Sequence, residues 1–180
     1  MTLTTFSKEY QRLNQELHQN GFGGAGDKRV PEILPYLEQY KVKTLLDYGA
    51  GQGKLKASLS GYDVTNYDPG VPEYSEKPQG SFDAVVCTDV LEHIEPEYLD
   101  NVLKEIFFYS TGLILLLVHF GPSGKTLSDG RNAHLIQKPP GWWEAKFNAF
   151  PWELVDFRYI YNKHSDEVKK GFYVFQKRPV

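Results

Sequence analysis

The stretch Leu45-Leu46-Asp47-Tyr48-Gly49-Ala50-Gly51-Gln52-Gly53 joins an apolar run to three glycines at alternate positions. Residues 43–48 read as a buried strand and residues 55–59 as the helix after it, so the glycines lie in the strand-to-helix turn. Glycine lets such a turn approach a ligand without a Cβ clash, and the helix start points free N–H groups the same way. A dinucleotide fingerprint needs a glycine at position 54, where Lys54 stands. Asp47 suits an ammonium group and would repel a pyrophosphate.

Outward from this turn the chain alternates strands and helices. A strand over 62–67 ends at Asp68, 15 residues after Gly53, where a carboxylate can accept two hydrogen bonds from ribose hydroxyls. A glycine turn plus a ribose acid, with no phosphate site, describes an adenosyl ligand that bears an amino acid. Residues 70–81 read as a loop, 82–88 as a strand and 95–109 as a helix with Leu99, Val102, Leu103 and Ile106 on one face. The apolar run 112–119 fits a parallel strand covered on both faces. A polar loop over 120–140, a short helix over 142–148 and strands over 152–161 and 172–177 complete the chain. Before the turn, Phe6, Tyr10, Leu13 and Leu17 predict an amphipathic helix over 5–20. A glycine-rich segment over 21–26 and a second helix from Asp27 through 30–39 follow. The pattern predicts an α/β fold with a doubly wound, mainly parallel sheet, and places function just after Tyr48, Tyr67, Thr88 and His119.

The 180 residues, 41% hydrophobic and 24% charged, suit one domain with a sizeable core. A net charge of -3 provides no overall basic field for nucleic acid or an anionic membrane. Cys87 is the single cysteine, which excludes an internal disulfide framework and a multi-cysteine zinc site; no metal site is expected. The longest aliphatic run, 113–118, is far shorter than the roughly 20 residues of a membrane helix. The N-terminus lacks the basic start and apolar stretch of a signal peptide, so the expected location is cytoplasmic. Oligomeric state is not encoded in any feature.

The sequence resembles the class I S-adenosylmethionine-dependent methyltransferases. DYGAGQG over 47–53 matches their acid-x-Gly-x-Gly-x-Gly turn, YDP over 67–69 their ribose acid, and FDAVVCTDVLEHI over 82–94 the end of their fourth strand. A narrower likeness, carried by CTDVLEHIEPE, DGRNAHLI and the pair Trp142-Trp143, is to bacterial and phage-borne methyltransferases of unassigned substrate. The resemblance implies S-adenosyl-L-methionine as cofactor and S-adenosyl-L-homocysteine as product. Asp47, Gly49, Ala50 and Gly51 would hold the methionine part, Asp68 the ribose, and Thr88 and Asp89 the border of the adenosine. Members of the family place a helix and a strand between the ribose acid and the next motif. Here only 13 residues separate Asp68 from Phe82. The expected Rossmann-like sheet therefore has six strands, lacks the usual third one and carries an antiparallel last strand. Pro69, Val71 or Cys87 then stand in for the usual adenine contacts. The domain divides into a helical cap (1–42), a cofactor-binding half (43–119) and a substrate loop with the closing strand pair (120–180).

The segment Ser128-Asp129-Gly130-Arg131-Asn132-Ala133-His134 packs an acid, a base, a cation and an amide into one loop beyond a strand's carboxyl end. His134 is the expected general base, with Asp129 orienting it. Arg131 and Asn132 would grip polar or anionic substrate groups, and His93 and Trp143 would border the acceptor. His18 and His164 read as surface residues. The glycine-rich segment 21–26 reads as a lid or as a plain connector, with Lys28 or Arg29 able to approach the methionine carboxylate. The leading expectation is O-methylation of a small polar acceptor such as a saccharide or its precursor. Alternatives are methylation of RNA or another nucleic acid, and a non-catalytic accessory protein that binds the cofactor.

Overall fold

The computed structural model describes residues 3–177. Helices α1 (Lys8–Gln19) and α2 (Val30–Gln39) precede the sheet. Strand β1 (Thr44–Tyr48), helix α3 (Lys54–Ser58), β2 (Asp63–Tyr67) and β3 (Phe82–Thr88) follow, then α4 (Leu99–Tyr109) and β4 (Ser110–His119). Helix α5 (Pro140–Asn148) leads into the hairpin of β5 (Trp152–Tyr161) and β6 (Val168–Lys177). The sheet order is β2-β1-β3-β4-β6-β5; β6 runs antiparallel to both its neighbours and all other pairs are parallel. Residues 70–81 contribute one 3₁₀ turn, Pro72–Tyr74, and no strand, so the sheet stops at β2. The six-stranded, Rossmann-like architecture read from the sequence is the one observed.

Successive strand side chains point to opposite faces, and the core divides accordingly. Leu46, Val85, Cys87, Ile114 and Leu116 face α4 and α5 on one side. Leu45, Ala84, Val86, Leu113 and Leu115 face Ile33 and Leu37 of α2 and Leu55 of α3 on the other. Because β4 is covered on both faces, Leu113–Val118 is apolar without interruption. Several element boundaries differ from the sequence expectation, three of them in the second half of the chain beside the site. Pro96–Tyr98 forms a 3₁₀ turn, so α4 begins only at Leu99. Strand β6 starts at Val168, because its polar residues pair with β5 and with the end of β4, His119 against Lys170. Helix α5 begins at Pro140, ahead of the tryptophans.

Helix α1 does not lie on the sheet. Ser7 caps it, accepting from the Tyr10 N–H at 3.0 Å, and donates its own N–H and hydroxyl to Glu95 at 2.7 Å each. The apolar face of α1, Tyr10 and Leu13, packs on Leu127 and Ala133 of the loop after β4. The helix thus spans the carboxyl ends of the strands. Among the described residues no helix is long and apolar enough to cross a membrane.

At the amino ends of the strands Asp83 ties β3 to β1, accepting from the Thr44 and Lys43 N–H groups at 2.9 and 2.8 Å. Those bonds hold its carboxyl below the usual carboxylate value. Its contribution is present above the unfolded pKa and is lost as pH falls through the folded one. Asp83→Ala costs about 1 kcal/mol at neutral pH and less at about pH 2.5, as measured by urea unfolding of both proteins. An equal loss at both pH values contradicts this account.

Candidate active site

The carboxyl ends of β1 to β4 open into one cavity of ≈ 330 Å³, roofed by α1 and the glycine-rich segment 21–26. At one end lies the turn after β1. Gly49 and Gly51 both have left-handed φ, 84° and 52°. A Cβ on Gly49 would meet Val90 at 2.3 Å, and one on Gly51 would meet the Gly23 carbonyl oxygen at 2.3 Å. Gln52 donates its N–H to that same carbonyl at 3.1 Å. The glycines therefore admit the protein's own lid segment as well as leaving room beneath it.

Asp68 binds this turn to the end of β2. One carboxylate oxygen accepts the Gly51 N–H at 2.8 Å and the other the Gly70 N–H at 2.9 Å, and each keeps a lone pair for a further donor. His18 Nε2 of α1 stands 3.8 Å away, so this histidine lines the cavity and is not the surface residue its polar surroundings suggested. Gln11 of α1 donates to the Pro69 carbonyl at 3.0 Å. Asp47 is buried in the wall, where desolvation, with the charge of Asp68 adding, pushes its carboxyl up to about 7. Asp89 follows β3 at φ 56°, a conformation uncommon outside glycine. Its carboxylate is held by Arg29 at 3.1 Å and by Lys170 of β6 at 2.5 Å. The Arg29 Nε is buried with no partner.

The far end of the cavity is made of histidines. His93 donates from Nδ1 to the Ala133 carbonyl and His134 from Nδ1 to the Gly121 carbonyl, both at 2.7 Å. A carbonyl can only accept, so in each ring Nε2 is left with its lone pair. The His134 ring stands 4.6 Å from that of His93 and 4.8 Å from that of His119, centroid to centroid. Burial, with the neighbouring His134, lowers His93 and His119 to about 4, and burial also lowers His134, so all three are neutral at pH 7. Glu92 lies behind them, fully buried. One carboxylate oxygen accepts the His119 N–H at 3.1 Å and the other has no partner. Desolvation and the nearby charge of Asp89 push its carboxyl well above the ordinary range.

A protein-family model described as a methyltransferase domain matches residues 11–163. The chain belongs to this methyltransferase family. No curated protein matches it in sequence. Among solved structures, 1,6-didemethyltoxoflavin-N1-methyltransferase of Burkholderia thailandensis, with bound 1,6-didemethyltoxoflavin and S-adenosylhomocysteine, aligns with a TM-score of 0.69. The identity is 16%, over 99% of this chain and 93% of that one. A DhpI-SAH complex aligns at 0.62 with 17% identity, over 96% and 95% of the two chains. Magnesium protoporphyrin IX methyltransferase of Synechocystis PCC 6803 with bound SAM aligns at 0.60 with 14% identity, over 84% and 79%. These likenesses establish the fold.

Within the methyltransferase cavity the structure brings together Asp47, Gly49, Ala50, Gly51, Asp68, Pro69, Thr88, Asp89, His93 and His134, all singled out in the sequence. It leaves the others outside. Asp129 is exposed and paired with Arg131, side chain to side chain at 2.7 Å, because two residues of separation across Gly130 let them close on each other. Neither lines the cavity, so Asp129 does not orient His134. Asn132 spends its amide inside the loop, accepting from the N–H groups of Ser123 and His134 and donating to the Ser123 carbonyl. It holds His134 in place without reaching the cavity. Trp143 is fully buried against Phe147 in the core, and Trp142 lies between Lys138 and Lys146. Of the three stand-ins for the adenine contacts, only Pro69 lines the cavity; Val71 lies outside it and Cys87 is buried in the core. Sequence reasoning missed Glu92, His119 and Lys170. The positions of His119 and Lys170 followed from the β4–β6 pairing alone.

A core role for Trp143 has a measurable consequence. Trp143→Ala destabilises the protein by about 3–5 kcal/mol in denaturant unfolding. A loss under about 1 kcal/mol would return this ring to the rim of the site.

Proposed function

We propose that this methyltransferase moves the methyl group of S-adenosyl-L-methionine to a hydroxyl oxygen of a small polar acceptor, a saccharide or its precursor. The observation that carries the reading is one cavity with a carboxylate-and-glycine end and a neutral histidine end. The chain's residues fit the cofactor. Asp47 is a buried carboxylate with no ion-pair partner among the described residues and suits the α-ammonium group, next to the backbone of Gly49, Ala50 and Gly51. The Arg29 Nε, buried and unpartnered, suits the methionine carboxylate. Asp68 offers both oxygens to the ribose hydroxyls. Pro69 and Gln11 flank the adenine, α1 taking the place of the family's missing strand. Thr88 and Asp89 border the ligand where adenosine meets the sulfonium.

Methyl transfer is an in-line displacement, and the protein's work is alignment and exclusion of water. The C–S bond breaks with its electron pair going to sulfur, which leaves S-adenosyl-L-homocysteine. A C–O bond forms, and the acceptor hydroxyl passes its proton to the free Nε2 of His134. Roofing by α1 and the segment 21–26 keeps the sulfonium dry. His134, with its free Nε2, is the catalytic residue at the acceptor end. His134→Ala reduces turnover by about 10²–10⁴-fold with cofactor affinity unchanged, whereas Asp129→Asn leaves turnover intact.

Calorimetry tests the cofactor: both adenosyl compounds bind and NAD does not. Binding of NAD alone would overturn the reading. Labelled cofactor offered with saccharides, fractionated metabolites and RNA tests the acceptor, and label is expected in the saccharide fraction. The cofactor's ammonium needs Asp47 ionised, and Asp47 titrates near 7 in the free protein. Affinity therefore falls about tenfold per pH unit below that value, and Asp47→Asn removes this slope. A dissociation constant that is flat between about pH 5.5 and 7 contradicts the assignment of Asp47.

A further inference from the structure

The acceptor end of the cavity contains an arrangement that neither the cofactor nor a bare hydroxyl explains. One ligand atom each from Glu92, His93 and His134 lies within 4.8 Å of the others, and all three residues are buried. Both imidazoles are clamped at Nδ1 by backbone carbonyls at 2.7 Å, which leaves each Nε2 as a lone-pair donor of fixed orientation. Carbonyl anchoring of the second ring nitrogen is the outer-shell arrangement of metal-ligating histidines. Glu92 is anchored in the same way. One oxygen takes the His119 N–H at 3.1 Å, while the other is buried with no hydrogen-bond partner among the described residues. A buried carboxylate oxygen without a partner is costly unless something fills its place.

The geometry points to a site for one divalent transition-metal ion, held by Glu92, His93 and His134 and open toward the acceptor. Ligand atoms about 2.1 Å from a shared ion stand roughly 3–3.5 Å apart, so binding draws the three together from separations of up to 4.8 Å. Two imidazoles and one carboxylate suit zinc, iron(II), cobalt or manganese better than the all-oxygen sites of magnesium or calcium. Three protein ligands leave coordination positions free, as catalytic sites do. The free positions face the cavity, which His93 and His134 line. An acceptor with two neighbouring oxygens, such as a vicinal diol, fills them both. Its hydroxyl is acidified by the ion, its proton passes to water at the mouth of the cavity, and the oxygen takes the methyl group. With the ion bound, the Nε2 of His134 serves the hydroxyl by holding the ion and no longer takes the proton itself. This deepens the methyl-transfer reading above and rests on it for the identity of the acceptor end.

The test uses the full chain, stripped with a chelator and titrated with Zn²⁺ by calorimetry and with Co²⁺ by visible absorption. One Zn²⁺ per chain is expected, with a micromolar or tighter dissociation constant, together with a Co²⁺ d–d band. Glu92→Gln and His134→Ala each weaken binding by about 10–100-fold or more. Should either variant fail to fold, the wild type alone decides. Of its five histidines, His93 and His134 shift their ring ¹⁵N resonances on adding Zn²⁺, and His18 and His164 do not. Absence of stoichiometric binding, equal binding by both folded variants, or shifts confined to other histidines overturns the site. S-adenosyl-L-homocysteine is titrated into the same samples. Its binding without any metal site overturns the metal alone, and failure to bind it overturns the cofactor reading instead.

Discussion

The Asp68 carboxylate is the tie on which the rest of the site depends. Its two oxygens draw the Gly51 and Gly70 N–H groups together, and so fix the turn after β1 against the end of β2. With the turn in place, the Gly23 carbonyl can lie on Gly51 and accept from Gln52. The segment 21–26 is then docked over the strand ends, and α1 is held across the cavity. Ser7 and Tyr10 tie the other end of α1 to Glu95 and to the His93 carbonyl. The roof is thus tied at one end to the cofactor turn and at the other to the histidines. A buried acid that satisfies backbone donors in the turns after two strands couples the glycine end of the cavity to the roof and, through it, to the histidine end.

Economy of length shapes the same site. With no strand between β2 and β3 in the chain, α1 covers the Asp68 end of the cavity and presents Gln11 and His18 beside Pro69 and Asp68. The acceptor end is closed by the loop after β4, whose Ala133 and Gly121 carbonyls orient His93 and His134. Here each segment near the cavity has two roles, and the membership of this chain in the methyltransferase family is expressed in a trimmed form of its sheet.

Features made by neighbours in sequence were legible before the fold was known. The glycine turn, the acid that ends YDVTNYD, and the doubly buried run of β4 each depend on local spacing, and each stands where the sequence puts it. What escaped was set by tertiary pairing. Lys170 reaches Asp89 only because β6 returns antiparallel beside β4, and His119 meets His134 only through the fold of the loop between them. The apolar stripe of α1 was readable, but the loop it packs on was not. Polar composition misled at Asp129 and Arg131, which satisfy each other at the surface, and at His18, which the roof carries inward. The tryptophan pair could not reveal which ring goes inward, because two adjacent residues on a helix point in different directions.

The central claim is that one cavity holds the cofactor at its carboxylate-and-glycine end with the reactive sulfur directed at the histidines. A crystal structure of the protein with S-adenosyl-L-homocysteine tests it most directly. The account predicts ribose hydroxyls on Asp68, the amino group on Asp47 and the sulfur facing His93 and His134. Adenosine seated elsewhere, or a sulfur turned away from those histidines, would contradict it.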